Sequence, residues 1–600
     1  MMQISALMRS FVPVALGVVL PVAAHAELSL RGHVLDTNGR AVGQAQVTVH
    51  PAVVERGATA VTVFTDERGQ FAFPEPFAQT GSDDLPVLVR ALGFRQLDTS
   101  TAVADDVLDV TVVMQRASNQ AGVAPASAWL KAIENPADRA EMVMLCVACH
   151  QHPPPEVRAY AGAIDAVRTA DPAAAREQSW ASIADYMSYL YTEMRAEGDP
   201  DAGPPDHERA YAFRNNMLHA AVPLMTRYLG GRLDELRGYD HGAPLIVNGN
   251  TVIREYEIPG PNAIREAIKI GGDVWVADVN VNRVIRIDAA SGSQRDVPVP
   301  ADVPIGPHTL VKATDDSLWV APNYNGVLAR LDPATEEWSI WSLADESGTP
   351  VGMHDLTFDS RHELAADTRG RIWFSDSRNN ALGYFNPDTG EQGSYPVPAV
   401  PGREGRTGMY GIVMTSDRQH VWYTQLAIAT FGSFNTETLE FEQVVTMPDI
   451  NSGPRRLAIS EDDILYVPLY GAGQLVEYDT RAGRQLAIHD LPDRASAPYA
   501  VTWDGVRQVL WVSTSNADAI YRFDPRSRTF GVLPLPREQA FLRMLAVDRD
   551  TGLLVSSYAN VPVRAHGPRM AVTIDPGDGY RPDIRLSSAG LAVDRGGSEQ

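Results

Sequence analysis

The chain has 600 residues, with 51 Lys and Arg against 75 Asp and Glu, a formal net charge of −24. Nucleic acids and anionic membrane surfaces are bound through basic patches, so this balance excludes both as principal partners. Hydrophobic residues at 44% and charged residues at 21% mark an ordinary globular composition; 47 Gly and 42 Pro suit a turn-rich β protein, and two cysteines exclude a multi-disulfide framework.

Residues 1–26 read as a targeting segment. Arg9 gives a basic start, residues 11–23 (FVPVALGVVLPVA) are apolar but short for a bilayer, and Ala24-His25-Ala26 has the A-x-A cleavage pattern. The expected mature chain begins at Glu27 and is periplasmic, exported by a cleavable signal peptide. No later run reaches about 18 apolar residues, so no stable membrane insertion is expected.

Residues 27–116 alternate polar and apolar in β-branched runs such as Gln46-Val47-Thr48-Val49, with turns at Asp36-Thr37-Asn38-Gly39 and Asp66-Glu67-Arg68-Gly69. This spacing predicts a small β-sandwich. The order GHVLDTNGRAVGQAQVTV, TDERGQFAF, ALGF resembles the carboxypeptidase-regulatory-like domains, which implies a transthyretin-like fold with an accessory role and no catalytic residues. Residues 117–127 (ASNQAGVAPAS) read as a linker. Residues 128–243 change to helical spacing, as in Trp180, Ile183, Met187, Leu190 and Met194, and predict a small α-helical domain.

Residues 244–600 carry an internal repeat. Trp275, Trp319, Trp373, Trp422, Tyr466 and Trp511 each begin a strand, and each is followed 13 positions later by Asp or Asn: Asp288, Asp332, Asn386, Asn435, Asp479 and Asp524. The constant interval predicts a hairpin closed by an Asx turn. Leu554 continues the series, with Asp575 after a longer interval that carries extra residues near 560–569. Seven units of about 46 residues are the signature of a seven-bladed β-propeller. Residues 251–258 (TVIREYEI) resemble the outer strand of the other repeats and are expected to close the ring. The fold class expected is therefore mainly β: a propeller, an N-terminal sandwich and a small helical domain.

The two cysteines fall at Cys146 and Cys149, followed by His150, in the order C-V-A-C-H. Two thiols three residues apart on one turn can both reach the vinyl groups of a porphyrin, with the adjacent His as proximal ligand to the iron. A thioredoxin-like CxxC wants a βαβ context, a zinc site wants further ligands at matched spacing, and a disulfide across CxxC leaves His150 unexplained. The segment resembles a mono-haem cytochrome c domain, which implies one covalent haem c on Cys146 and Cys149, iron ligation by His150, and single-electron transfer with a periplasmic redox partner. For the sixth ligand the candidate is Met187, 37 residues after His150, with core filling as the alternative role and Met194, Met217 and His219 in reserve.

The repeats also align at their inner strands. Pro307-His308, Met353-His354, Met409-Tyr410, Pro454-Arg455, Pro498-Tyr499 and Leu542-Arg543 lie 11 to 19 residues before their anchors, with Ile264 at the equivalent place in the first unit. In a propeller, strand starts of this kind face the central channel. His308, His354, Tyr410, Arg455, Tyr499 and Arg543 are therefore expected to line one mouth, and the two Arg favour an anionic small-molecule ligand there. A solvated funnel without a ligand is the alternative.

The repeat wording VWVADVNVNRVIRID, LWVAPNYNGVLARLDP and IWFSDSRNNALGYFNPDTGE resembles the virginiamycin B lyase (streptogramin lyase) family. That resemblance implies a seven-bladed propeller opening a cyclic depsipeptide by elimination, with a His base at a late-blade P-H pair and carboxylates holding Mg²⁺. Here the matching blade reads Ala497-Pro498-Tyr499 and then Trp511-Val512-Ser513-Thr514, so Tyr stands for the His and the acids are absent. The third unit alone pairs His with a nearby acid, His354 and Asp376, which are the candidate catalytic pair, with a structural hydrogen bond as the alternative. Quinohaemoprotein dehydrogenases also join propellers to cytochromes c, but with eight blades and a vicinal disulfide that this chain lacks. The expected function is electron transfer through the haem, with a propeller that binds a substrate or partner. A haem-dependent oxidoreductase is favoured over a lyase. The alternatives are a lyase or hydrolase with an accessory haem, and a non-catalytic binding module.

Overall fold

The structure is a computed structural model. It describes residues 27–582 except 51–58, 79–86, 105, 149, 167–170, 199–206, 231–232, 261–262, 280, 303–304, 404–407 and 560–568. The expected targeting segment, the extra residues of the last repeat up to 568, and Cys149 lie outside the described residues.

The N-terminal region forms two β layers. Gln70–Ala72, Glu27–Asp36, Val107–Arg116 and Phe94–Ala104 lie side by side in one, and Gln46–Val49, between Thr59–Phe64 and Val87–Arg90, in the other. Val107–Arg116 shows why: Leu108, Val110, Val112 and Met114 point inward at every second position, the strand period. They meet Val47, Val49, Val61 and Val63 of the second layer in one apolar core.

The second layer does not end there. Thr59–Phe64 pairs antiparallel with Val252–Glu257, which pairs in turn with Met570–Asp575. The outer strand placed by the sequence at 251–258 is thus hydrogen-bonded on both sides. A seven-stranded sheet runs from the last repeat into the N-terminal region and leaves no bare edge at that join.

Residues 264–575 build the repeat. Six four-stranded antiparallel sheets follow one another, beginning with residues 264–298 and ending with residues 498–534. The seventh unit consists of Ala546–Val547, Leu554–Ser557, Met570–Asp575 and the returning strand Val252–Glu257. Each innermost strand packs on that of the next unit, and Ile264–Ile270 of the first packs on Leu554–Ser557 of the seventh. The anchors Trp275, Trp373, Trp422 and Trp511 are fully buried between sheets. The Asx turns form as expected: Asp288, Asp332, Asn386, Asn435, Asp479, Asp524 and Asp575 each accept a backbone N–H two or three residues on.

Between these regions lie five helices, α1 (Ser127–Leu130), α2 (Pro136–Cys146), α3 (Pro155–Ala166), α4 (Pro172–Gly198) and α5 (His207–Tyr228). Asn135 caps α2 by accepting from Ala137 N at 3.0 Å, with Pro136 at the first helical position. The helical region has no core of its own. Trp129, Leu130, Met142, Val147 and Trp180 share one buried cluster with Tyr470, Tyr499 and Phe541 of the repeat. The expected linker at 117–127 is likewise built into the structure. Asn119 and Gln120 exchange hydrogen bonds with the backbone at Asp234, Leu236 and Tyr239, and Ser127 N donates to Asn516 O. Two amide side chains thus fix a segment whose composition alone reads as flexible.

Candidate functional site

The innermost strands share one irregularity. Ile264 pairs with Asp278 and pairing resumes at Ala267; Pro307 pairs with Pro322 and resumes at Thr309; Met353 pairs with Asp376 and resumes at Asp355. Met409 and Pro498 repeat the pattern, pairing resuming at Ile412 and Ala500, while Pro454 and Leu542 make single bridges to Leu469 and Tyr558. A bulge frees one residue from the ladder and re-aims its side chain. The first position freed in each unit is Arg265, His308, His354, Tyr410, Arg455, Tyr499 or Arg543; in the first and fourth units the pairing skips Glu266 and Gly411 as well. In the first unit the sequence alignment set Ile264 at this place; Ile264 is the paired residue, and the bulge presents Arg265 instead.

All six expected mouth residues touch one another in a chain. The rings of His308 and His354 have centroids 4.9 Å apart, those of His354 and Tyr410 3.9 Å, and those of Tyr410 and Tyr499 6.0 Å. The two phenol oxygens form a short hydrogen bond. Arg455 lies over Tyr470, Tyr499 and Tyr410, with its guanidinium carbon 3.7, 4.3 and 5.3 Å from the ring centres, and donates to the Tyr410 oxygen at 3.4 Å. Arg543 donates to the Tyr499 oxygen at 3.3 Å and to Ala559 O at 3.1 Å. Neither arginine forms an ion pair with a carboxylate among the described residues, so the mouth gathers positive charge in a strongly acidic protein. Burial holds His308 and His354 neutral, and the arginines nearby push the same way.

One residue further along each strand lies a second layer. Arg456 pairs with Glu266, approaches Asp355 at 3.7 Å, and donates to Thr309 Oγ1 at 2.9 Å. Glu266 also accepts from Leu310 N and the Thr309 hydroxyl. Burial raises the Asp355 carboxyl to about 7, with the Glu266 charge adding to it against the pull of Arg456. His354 Nδ1, Asp355 Oδ2 and the Nε atoms of Arg455 and Arg456 are buried without a hydrogen-bond partner. Leaving buried polar atoms unpaired is costly, so such a cluster is the mark of a place for water or ligand.

The helical region reaches the mouth. Tyr470 donates through its hydroxyl to Val147 O at 2.8 Å, and Arg543 Nη2 donates to Ala148 O at 3.2 Å. Asn516 accepts from His152 N and donates to His152 O, and Gln151 donates to Asp518 Oδ1 at 2.7 Å. The cysteine motif is therefore fastened across the mouth by hydrogen bonds from the fifth, sixth and seventh units. Tyr470 escaped the sequence reading; the signal was an aromatic four residues after its anchor, where most other units carry a smaller side chain.

Of the motif residues, Cys146 and His150 are described, and both suit a covalent haem. Cys146 ends α2 with a free thiol, which burial pushes up to about 12, and its Sγ lies 3.6 Å from Met142 Sδ. The His150 Nδ1 is 2.7 Å from Gln151 O, the contact that fixes a ligating tautomer and leaves Nε2 for a metal. Burial keeps that imidazole neutral, the form that binds iron. Met187 is half-buried on α4, His219 Nε2 is 2.8 Å from Asp185 Oδ1, Met217 is half-buried on α5, and the Met194 side chain lies outside the described residues. No hydrogen bond joins Met187 to His150 among the described residues.

His354 and Asp376 are not brought together. Asp376 Oδ1 accepts from the N–H groups of Gly352, Arg378 and Asn379, and Oδ2 accepts from Asn379 Nδ2, so the carboxylate is spent on its own hairpin. His354 turns instead to His308 and Tyr410. A Mg²⁺ ion finds no donor set in the late unit either: Ser513 Oγ donates to Ala500 O, Thr514 Oγ1 pairs with Ala519 O, and Asp518 accepts from Ala540 N and Gln151. Among the described residues no three His, Cys, Asp or Glu side chains converge on a metal position.

A model of the virginiamycin B lyase family matches residues 245–477, which form a virginiamycin B lyase-like domain. A solved streptogramin B lyase is 17% identical and covers 54% of this chain and 97% of its own, with a TM-score of 0.45. A virginiamycin B lyase from Staphylococcus aureus is 16% identical over 54% of this chain and 99% of its own, at 0.44. The WD40 repeats of RRP9 are 12% identical over 54% and 96%, at 0.42. No curated protein matches the chain.

Proposed function

We propose that this chain is an exported, periplasmic c-type cytochrome built on a seven-bladed propeller. Its haem domain and channel mouth act as one site that exchanges single electrons between a bound anionic substrate and a periplasmic redox partner. Haem c would be joined to Cys146 and Cys149 with His150 on the iron, and when bound it supplies one-electron chemistry. The chain's own residues do the rest. Tyr470, Arg543 and Asn516 hold the motif against the mouth, the helical region keeps water from it, and Arg455 with Arg543 supplies cations for an anion. The sandwich at 27–116 is read as an accessory transthyretin-like module.

The observation that carries this reading is the direct hydrogen bonding of Val147 O and Ala148 O, between the two motif cysteines, to Tyr470 and Arg543 of the mouth. A binding site and a haem that acted independently need no such join. The rival is an eliminase acting in the propeller with the haem accessory, which the family match at 245–477 favours. Anaerobic mixing of the ferric protein with periplasmic small-molecule extracts separates the two. Reduction of the haem bands supports electron transfer, whereas metal-dependent turnover without haem reduction supports elimination.

A further inference from the structure

Resting on the reading of the mouth as a substrate site, we propose that Tyr499 is its proton acceptor, working as a phenolate on a hydroxyl group of a bound organic anion. The Tyr499 phenol oxygen receives a hydrogen bond from Arg543 and shares a short one with Tyr410, while the Arg455 guanidinium lies 4.3 Å from its ring centre.

The groups facing this phenol come from three units. They are Tyr410 from the fourth, Arg455, Arg456 and Tyr470 from the fifth, and Arg543 from the seventh. No carboxylate hydrogen-bonds to it among the described residues. Glu266 and Asp355 are engaged with Arg456 one layer below. Burial alone would raise a phenol; here Arg543, Arg455 and Arg456 outweigh it and bring Tyr499 down to about 8, while the partner phenol of Tyr410 goes up. The pair therefore holds one easily removed proton, with Arg543 donating to the Tyr499 oxygen at 3.3 Å and Arg455 to the Tyr410 oxygen at 3.4 Å.

The step is a simple transfer. The ligand's O–H bond breaks, a Tyr499 O–H bond forms, and the electron pair stays on the ligand oxygen, whose new charge faces Arg455 and Arg543. A hydroxylated carboxylate fits both demands, with the carboxylate to a guanidinium and the hydroxyl to the phenolate.

The test uses the full-length haem protein carrying tyrosine labelled with ¹³C at the ring carbon that bears oxygen. One resonance should titrate near pH 8, vanish in Tyr499→Phe, and move up by at least one pH unit in Arg543→Met. The affinity advantage of 4-hydroxybenzoate over benzoate should grow as pH rises through about 8 in the parent protein, where Tyr499 becomes a phenolate able to accept from the hydroxyl, and be lost in Tyr499→Phe. The proposal is overturned if every tyrosine titrates only in the ordinary range near 10, if the titrating resonance survives Tyr499→Phe, or if the hydroxyl of 4-hydroxybenzoate adds no affinity over benzoate in the parent above about pH 8. Absence of haem with the titration intact would reject the electron-transfer reading and leave this one standing.

Discussion

Arg543 of the seventh repeat donates through Nη2 to the backbone carbonyl of Ala148 at 3.2 Å, so a residue of the channel mouth holds the peptide between the two cysteines of the C-V-A-C-H motif. The same guanidinium also donates to Tyr499. One side chain thus spans the join between the helical region and the repeat. Two parts of the sequence nearly 400 residues apart become neighbours, joined also by one shared apolar cluster.

Covalent attachment is the first consequence. Haem should stay with the polypeptide on a denaturing gel, and the double variant Cys146→Ala, Cys149→Ala should lose it. Haem that acid acetone extracts from the parent protein contradicts the attachment.

Met187 gives a spectroscopic prediction. If its thioether completes the iron, Met187→Ala abolishes the weak sulfur-to-iron charge-transfer band of the oxidised protein and lowers the reduction potential. An unchanged spectrum returns Met187 to packing and turns attention to Met194, Met217 or His219.

The mouth arginines should be separable in effect. Among the described residues the Arg455 side chain meets three tyrosine rings and the Tyr410 hydroxyl, so Arg455→Met removes a buried charge while keeping much of its packing volume. Binding of an organic anion should weaken by about 1.5–3 kcal/mol for each charged hydrogen bond lost, while the melting temperature stays level or rises. A large fall in melting temperature would make Arg455 structural.

Docking of the motif can be loosened one bond at a time. Tyr470→Phe deletes the hydroxyl that reaches Val147 O and should cost about 0.5–1.5 kcal/mol of stability in denaturant titrations. Asn516→Ala removes contacts to His152 N, His152 O and Ala495 O and should cost more. Equal stability in both variants would mean that the helical region is held by its apolar cluster alone.

Asp355 sets a pH dependence. Its carboxyl goes from an ordinary 3.8 in the unfolded chain to about 7 when folded, so folding favours its protonated form. Its contribution is full below about 4 and is lost as pH rises from about 4 to about 7. Asp355→Asn should flatten that part of the stability curve, and an unaltered slope would assign it to other groups.

Much of this was legible in the sequence because it rests on local chemistry. The 13-residue interval from Trp275 to Asp288 encodes a hairpin plus its Asx turn; the six turns at that interval form, and so does the seventh at Asp575 after its longer one. The mouth residues were visible because each follows a Pro, Met or Leu that keeps its ladder pairing. Arg265 was missed because the bulge, which decides which of two neighbours is freed, depends on pairing with another strand. The pairing of His354 with Asp376 failed for a related reason: three backbone N–H groups in its own unit had already taken the carboxylate. The join between the motif and the mouth, made by Tyr470, Arg543 and Asn516, depends on contacts across hundreds of residues that no local pattern records.

The central claim, that motif and mouth form one redox site, is tested most directly by anaerobic stopped-flow mixing of the ferric protein with an organic anion that binds it. Parent protein and Arg455→Met should be compared at the haem bands. The anion should reduce the parent's haem, and Arg455→Met should slow this at least tenfold at subsaturating anion, in line with a loss of about 1.4 kcal/mol or more. Haem reduction at the same rate in both proteins, or consumption of the anion while the haem stays ferric, would contradict that claim.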